Sequence, residues 1–235
     1  MQVLSREFGM EIEQNLFVLS IGLLVLTSSV YGMKFLVRGN YLLGIEWLVI
    51  ALSGASIVVF ALGSVDQAYS VAYFCDAFLR GCGGPVIMIL GLMVVTHDYR
   101  PLPHLDIYLF GGTIAGTVAL LLADDATLLK PLFYLCMWSA LSFYLAYFIW
   151  RLLGVQAYRH VFGVGLALVS AQAVAIVYNS YTLPGEEENL YFYILAAPVW
   201  SFLCVEMYYA YCALERAMPD RVPEVASSNN VERLF

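Results

Sequence analysis

Four ionisable residues, Glu46, Asp76, Arg80 and Glu206, fall deep inside long apolar stretches of this chain, more than four residues from either end. An ionised side chain at mid-bilayer costs about 2.5–3.5 kcal/mol on insertion scales, so such groups face a bundle interior, pair, and mark ion or proton pathways. Asp76 and Arg80 are four residues apart, which sets opposite charges on one face of a helix. With Glu46 and Glu206 added, the interiors of the stretches hold three acids against one base. That balance favours keeping at least one carboxyl neutral. A carboxyl able to exchange a proton beside a fixed cation is the chemistry of proton handling or ion binding. The amide of Gln172 falls at a depth near Asp76 and is expected to hydrogen-bond into the same cluster.

Directly after Arg80 comes Gly81-Cys82-Gly83-Gly84-Pro85. Proline removes a backbone donor and clashes with the carbonyl four residues earlier, here that of Gly81. The helix is expected to bend or open there, with Gly84 and Pro85 as a hinge and Pro198 in the last span as a second one. Carbonyls freed at membrane depth are tolerated where they are buried or line a polar cavity. The competing use of such glycines is close helix packing, and Gly112-x-x-x-Gly116 is read that way.

The elements that must hold these groups are the apolar stretches themselves, near 15–37, 41–63, 69–96, 106–123, 130–153, 157–180 and 190–213. Each is close to the roughly 20 residues a helical span needs. The chain is 62% hydrophobic and 12% charged, against about 25% charged in soluble domains, so the surrounding solvent is lipid. Backbone groups must then be satisfied within each segment, which requires helices. The alternation of outer-membrane barrel strands is missing from runs such as Ile114 to Leu122. The expected fold is all-α, a seven-helix domain over 1–217 followed by a disordered cytoplasmic tail over 218–235. The first residues read as no cleavable leader: Arg6 stands against Glu7, Glu11 and Glu13. The five cysteines all lie in predicted spans with no CxxC pair, which argues against a disulfide framework.

Charge sets the expected orientation. Sorting ends and loops alternately by side puts Lys34, Arg38, Arg100, Arg151, Arg159, Arg216, Arg221 and Arg233 together, and leaves Arg6 and Lys130 with nine acids. Basic residues mark the cytoplasmic side, so the N-terminus is expected outside and the C-terminus inside. Tyr178, Tyr181, Tyr191 and Tyr193 around the acidic loop, and Tyr208, Tyr209 and Tyr211 at the far end of the last span, suit headgroup depth. On a rise of 1.5 Å per residue, Arg80 lies roughly 15 Å below the outer surface and Glu46 and Glu206 roughly 20–25 Å below it. The two glutamates are therefore expected level with each other.

Two halves are discernible. At an offset of 116, Leu16-Phe17-Val18-Leu19 faces Leu132-Phe133-Tyr134-Leu135, and Ile50-Ala51-Leu52 faces Leu166-Ala167-Leu168. Shifted by three, Gly84-Pro85-Val86 faces Ala197-Pro198-Val199. A three-one-three parallel repeat with this orientation is similar in layout to the SWEET-type sugar carriers, in which substrate lies between the repeats. The likeness is one of layout: no proline-glutamine motif marks the spans, and no functional residue carries over. The last span contains no lysine, so it cannot hold retinal as an opsin does, and no receptor-type arginine triplet ends the third span.

His97, His104 and His160 all fall on the inner side, in spacings that match no metal or hydrolase motif. No metal, cofactor or nucleic-acid partner is expected. The leading expectation is an integral, multi-pass protein of the cell (inner) membrane that carries or conducts a small solute or ion, linked to protons through Glu46 or Glu206. The alternative is a non-catalytic sensor or scaffold in a membrane complex, and a membrane-embedded enzyme is third. Beyond the lipid bilayer, the expected partners are a second copy or another membrane protein.

Overall fold

The computed structural model describes residues 2–99, 103–123, 129–180 and 190–218. These form eight α-helices and one π-helical turn, with no strand among the described residues. The helices are α1 (Gln2–Val37), α2 (Tyr41–Gly63), α3 (Asp66–Arg80), α4 (Met88–Thr96), α5 (Pro103–Leu122), α6 (Leu129–Gly154), α7 (Tyr158–Ser180) and α8 (Leu190–Arg216), and the π turn Gly83–Ile87 joins α3 to α4. The expected apolar stretches are helical, the third with a break at Gly81-Cys82. α1 begins well ahead of its stretch, and α3 also starts earlier than expected. The acidic loops at 124–128 and 181–189 and the tail from 219 onward lie outside the described residues.

Five helices are long and apolar enough to cross a bilayer: Ile12–Val37 of α1, α2, His104–Leu122 of α5, Leu132–Gly154 of α6 and Phe192–Arg216 of α8. Asp66–Arg80 and Gly83–Thr96 pass that test only as a pair, bent by 49° at the break between them. α7 packs against α6 and α8. This is the architecture of a multi-pass membrane protein.

α1 lies along both α2 and α8, α2 meets α3, and α6 meets the π turn and α4. Phe35, Trp47, Leu92, Phe148, Met207 and Tyr211 are fully buried where these helices meet. Phe35 stands edge-on to Trp47 at 5.7 Å and to Tyr211 at 5.2 Å, a favoured aromatic geometry. Leu19, Ile107, Phe143 and Val169 face outward, as a lipid-facing surface requires, since hydrocarbon tails are as apolar as leucine.

The turn between α1 and α2 is fixed by Gly39, at φ +77°, and by Asn40. The Asn40 side chain accepts from the Leu43 backbone N–H at 3.1 Å, an N-cap, and donates to the Gly91 carbonyl at 2.8 Å. The start of α2 is thereby tied to α4. At the same end of the bundle Arg38 pairs with Glu215 and donates to the Tyr208 hydroxyl, Lys34 lies 4.4 Å from the Tyr31 ring centroid, and Arg151 donates to the Thr96 carbonyl. Of Gly112-x-x-x-Gly116, one glycine makes the expected close approach. A Cβ at Gly116 would meet Cys82 Sγ at 2.8 Å, whereas Gly112 faces open space. A further tight contact joins α1 and α2, where a Cβ on Gly44 would lie 2.4 Å from Leu36 Cδ2.

Candidate functional site

α2 carries Glu46 into the bundle. Its residue is 1% exposed, and neither carboxyl oxygen has a hydrogen-bond partner among the described residues. Opposite stands Gly84 of the π turn: a Cβ there would lie 3.5 Å from Glu46 Oε1 and only 2.2 Å from the Leu79 carbonyl oxygen. The wider turn that Gly83-Gly84-Pro85 adopts presses backbone against backbone, and only a residue without Cβ fits. The expected break after Arg80 is thus present, as a π turn with Pro85 buried inside it. Pro198 differs. It lies on the exposed face of α8, which runs unbroken through it.

The last turn of α3 brings Asp76 and Arg80 together as their spacing requires. Arg80 Nη2 donates to Asp76 Oδ2, and its guanidinium lies 5.8 Å from the centroid of the Tyr134 ring. Glu46, Asp76, Arg80 and Gly84 all border one cavity of about 100 Å³, which residues of α1, α4, α6 and α8 also line. A water needs about 10–15 Å³ of such space, so the cavity has room for several waters or one small solute. Beside it the Trp47 indole N–H donates to the Cys204 carbonyl at 3.3 Å, joining α2 to α8.

Two expected members of the cluster are elsewhere. Glu206 does not meet Glu46. Its carboxylate is 2.7 Å from His160 Nδ1 and sits in a slot left by Gly163, where a Cβ would come within 2.4 Å of the Glu206 carboxyl carbon. The reason is rotation about the helix axis. Leu203 and Cys204 of α8 face the cavity, and two residues past Cys204 is about 200° of turn, which aims Glu206 at α7. Gln172 donates to Ser142 Oγ at 2.7 Å, and Ser142 donates to the Trp138 carbonyl at 2.8 Å, so this amide ties α7 to α6 instead of joining Asp76.

The histidines are dispersed. His97 is 2.9 Å from Thr96 Oγ1 and stacks on Tyr147, His104 lies edge-on to Tyr108, and His160 takes Glu206. Among the described residues no three His, Cys, Asp or Glu side chains are placed to hold a metal ion. Sequence reasoning missed the His160–Glu206 pair. Its one sequence signal is Gly163, three residues after His160 and on the same helical face, which opens a slot beside a polar ring. No family model matches this chain, and no curated protein or solved structure is detectably similar to it.

Proposed function

We propose that this chain is a small carrier or channel of the cell (inner) membrane, moving a small solute or ion through the central cavity with Glu46 exchanging a proton. The observation that carries the reading is the Glu46 carboxyl, buried without a partner among the described residues, beside a cavity and a helix break. A buried polar group left unsatisfied costs about 1–3 kcal/mol or more, a burden a purely structural bundle has no reason to keep. The Asp76–Arg80 pair is the fixed, self-neutralised neighbour. The π turn at Gly84 and Pro85 is the point of flexing. Irregular backbone lining a cavity is how membrane carriers build sites at mid-depth.

In this reading the spans number seven: the five long apolar helices, the bent α3–α4 pair, and α7. The N-terminus is outside, and the end where Lys34, Arg38 and Arg151 gather is cytoplasmic. A three-one-three repeat is supported by the packing order. α1 meets α2 and α2 meets α3, as α6 meets α7 and α7 meets α8. The first helix of each half lies against the last of the other, α1 on α8 and α6 on α4.

The test uses the full chain in proteoliposomes with an entrapped pH indicator, challenged with a panel of small cations, anions and neutral solutes. Wild type is expected to show pH-dependent movement of at least one, Glu46→Gln to lose it, and Glu206→Gln to retain it. No movement of any solute or proton, with another membrane protein co-purifying in fixed ratio, would replace the carrier with a non-catalytic membrane component.

A further inference from the structure

Three of the four tryptophans in the chain, Trp47, Trp138 and Trp200, border the cavity that holds Glu46, and Tyr193 adds a fourth aromatic wall. The remaining tryptophan, Trp150, is 64% exposed on the outer surface. We propose that the ligand of this cavity is a small organic ammonium ion, held by the Glu46 carboxylate within a box of aromatic rings. The inference rests on the cavity being a solute site and goes on to name the solute.

The charges around the cavity select the sign. Asp76 and Arg80 neutralise each other, so an ionised Glu46 leaves one net negative charge for the ligand to balance. An anion would meet that charge and an Arg80 already engaged by Asp76. The walls then select among cations. Inorganic cations need a shell of oxygen ligands, and beyond Glu46 and Asp76 this cavity is lined mostly by apolar side chains. Aromatic rings attract a desolvated ammonium through their quadrupole while its methyl groups keep apolar contact. The volume of about 100 Å³ suits a ligand of a few carbon atoms.

Binding also accounts for the proton. When the Glu46 carboxyl is neutral, an entering ammonium ion takes the place of its proton: one cation is bound, one proton leaves, the O–H bond breaks and none forms to carbon. Charge in the cavity is unchanged. The other charged or titratable groups around Glu46 are Asp76, Arg80 and Cys75 from α3 and Cys204 and Tyr193 from α8. The described lining residues of α1, α4, α6 and the π turn carry none. Only Glu46 among these carboxyls lacks a counter-charge, so it is the group that exchanges.

The experiment is calorimetric titration of the full chain in nanodiscs with tetramethylammonium, its neutral near-isostere tert-butanol, the anion pivalate, and potassium. Tetramethylammonium is expected to bind saturably, releasing protons at acid pH and progressively fewer as pH rises. Glu46→Gln should weaken it about tenfold or more, the scale of a lost charge pairing worth one factor of ten per 1.4 kcal/mol. Trp200→Leu should weaken it about 3–30-fold, the range of one cation–π contact, without altering tert-butanol binding. Glu206→Gln should leave it unchanged. Equal wild-type binding of tert-butanol and tetramethylammonium would overturn the proposal without needing any variant, as would preferred binding of pivalate. Potassium binding or flux without tetramethylammonium binding would overturn the ammonium assignment and leave the carrier standing. Binding and flux of nothing in the panel would overturn both.

Discussion

Glu206 and Glu46 are both glutamates inside apolar helices, yet the bundle surrounds them differently. Glu206 has a slot cut for it by Gly163 and an imidazole at 2.7 Å. Glu46 is more deeply buried, has no hydrogen-bond partner among the described residues, and borders the cavity. A carboxyl supplied with a partner joins two helices, here α7 and α8. One with room beside it and no partner among the described residues ties no helices together. The two carboxyls thus differ in what satisfies each.

The largest expected break in this comparison is at Gly84, the glycine beside Glu46. Gly84→Ala would drive a Cβ to 2.2 Å from the Leu79 carbonyl oxygen, which is backbone and cannot swing away. The π turn should be lost, and size-exclusion chromatography should show little monodisperse protein. A Gly84→Ala variant that remains monodisperse and binds solute normally would show that the break is incidental to the site.

Next in size is the ion pair. Arg80→Leu leaves Asp76 without its counter-charge. Removing one partner of a buried pair costs about 3–5 kcal/mol; with side chains 38% and 39% exposed, this pair is expected nearer 1–3 kcal/mol. Asp76→Asn combined with Arg80→Gln should be better tolerated than Arg80→Leu in thermal unfolding. Strictly additive effects in a double-mutant cycle over these two positions would deny the coupling that makes the pair self-neutralised.

The smallest effect is expected at Gly163→Ala. Its Cβ would meet the carboxyl end of Glu206, which can rotate away from His160. Overpacking of this kind costs about 1–3 kcal/mol, and the displaced contact should put the result at the low end, read as a modest fall in melting temperature with solute binding intact. Loss of binding in the Gly163→Ala variant would mean that the α7–α8 contact belongs to the site after all.

Helix positions along the chain were legible in the sequence because lipid forces each apolar stretch to satisfy its own backbone. The Asp76–Arg80 pair was legible because four residues is one helical step, and the break at Gly84-Pro85 because proline removes a donor wherever it stands. Rotation about each axis was not. In water the buried face of a helix is the apolar one, but in a bilayer both faces are apolar, so nothing in the sequence said that Glu206 looks toward α7 or that Gln172 reaches Ser142. Depth alone placed Glu206 level with Glu46, and a turn of about 200° from Cys204 set it apart. The same blindness hid the aromatic box, whose tryptophans come from three helices far apart in sequence.

The Asn40 bridge to Gly91 has a mechanical consequence. Below the π turn, α4 is fastened twice, to the head of α2 through Asn40 and to α6 through the Arg151 hold on Thr96. Above it, α3 carries Asp76 and Arg80 on a helix whose packing is mainly against α2. If the third span flexes at its break, α4 is the bracket and α3 the lever. The ion pair rides on the moving arm while Glu46 stays with the frame, so opening and closing would change the distance between the fixed carboxyl and its charged neighbours.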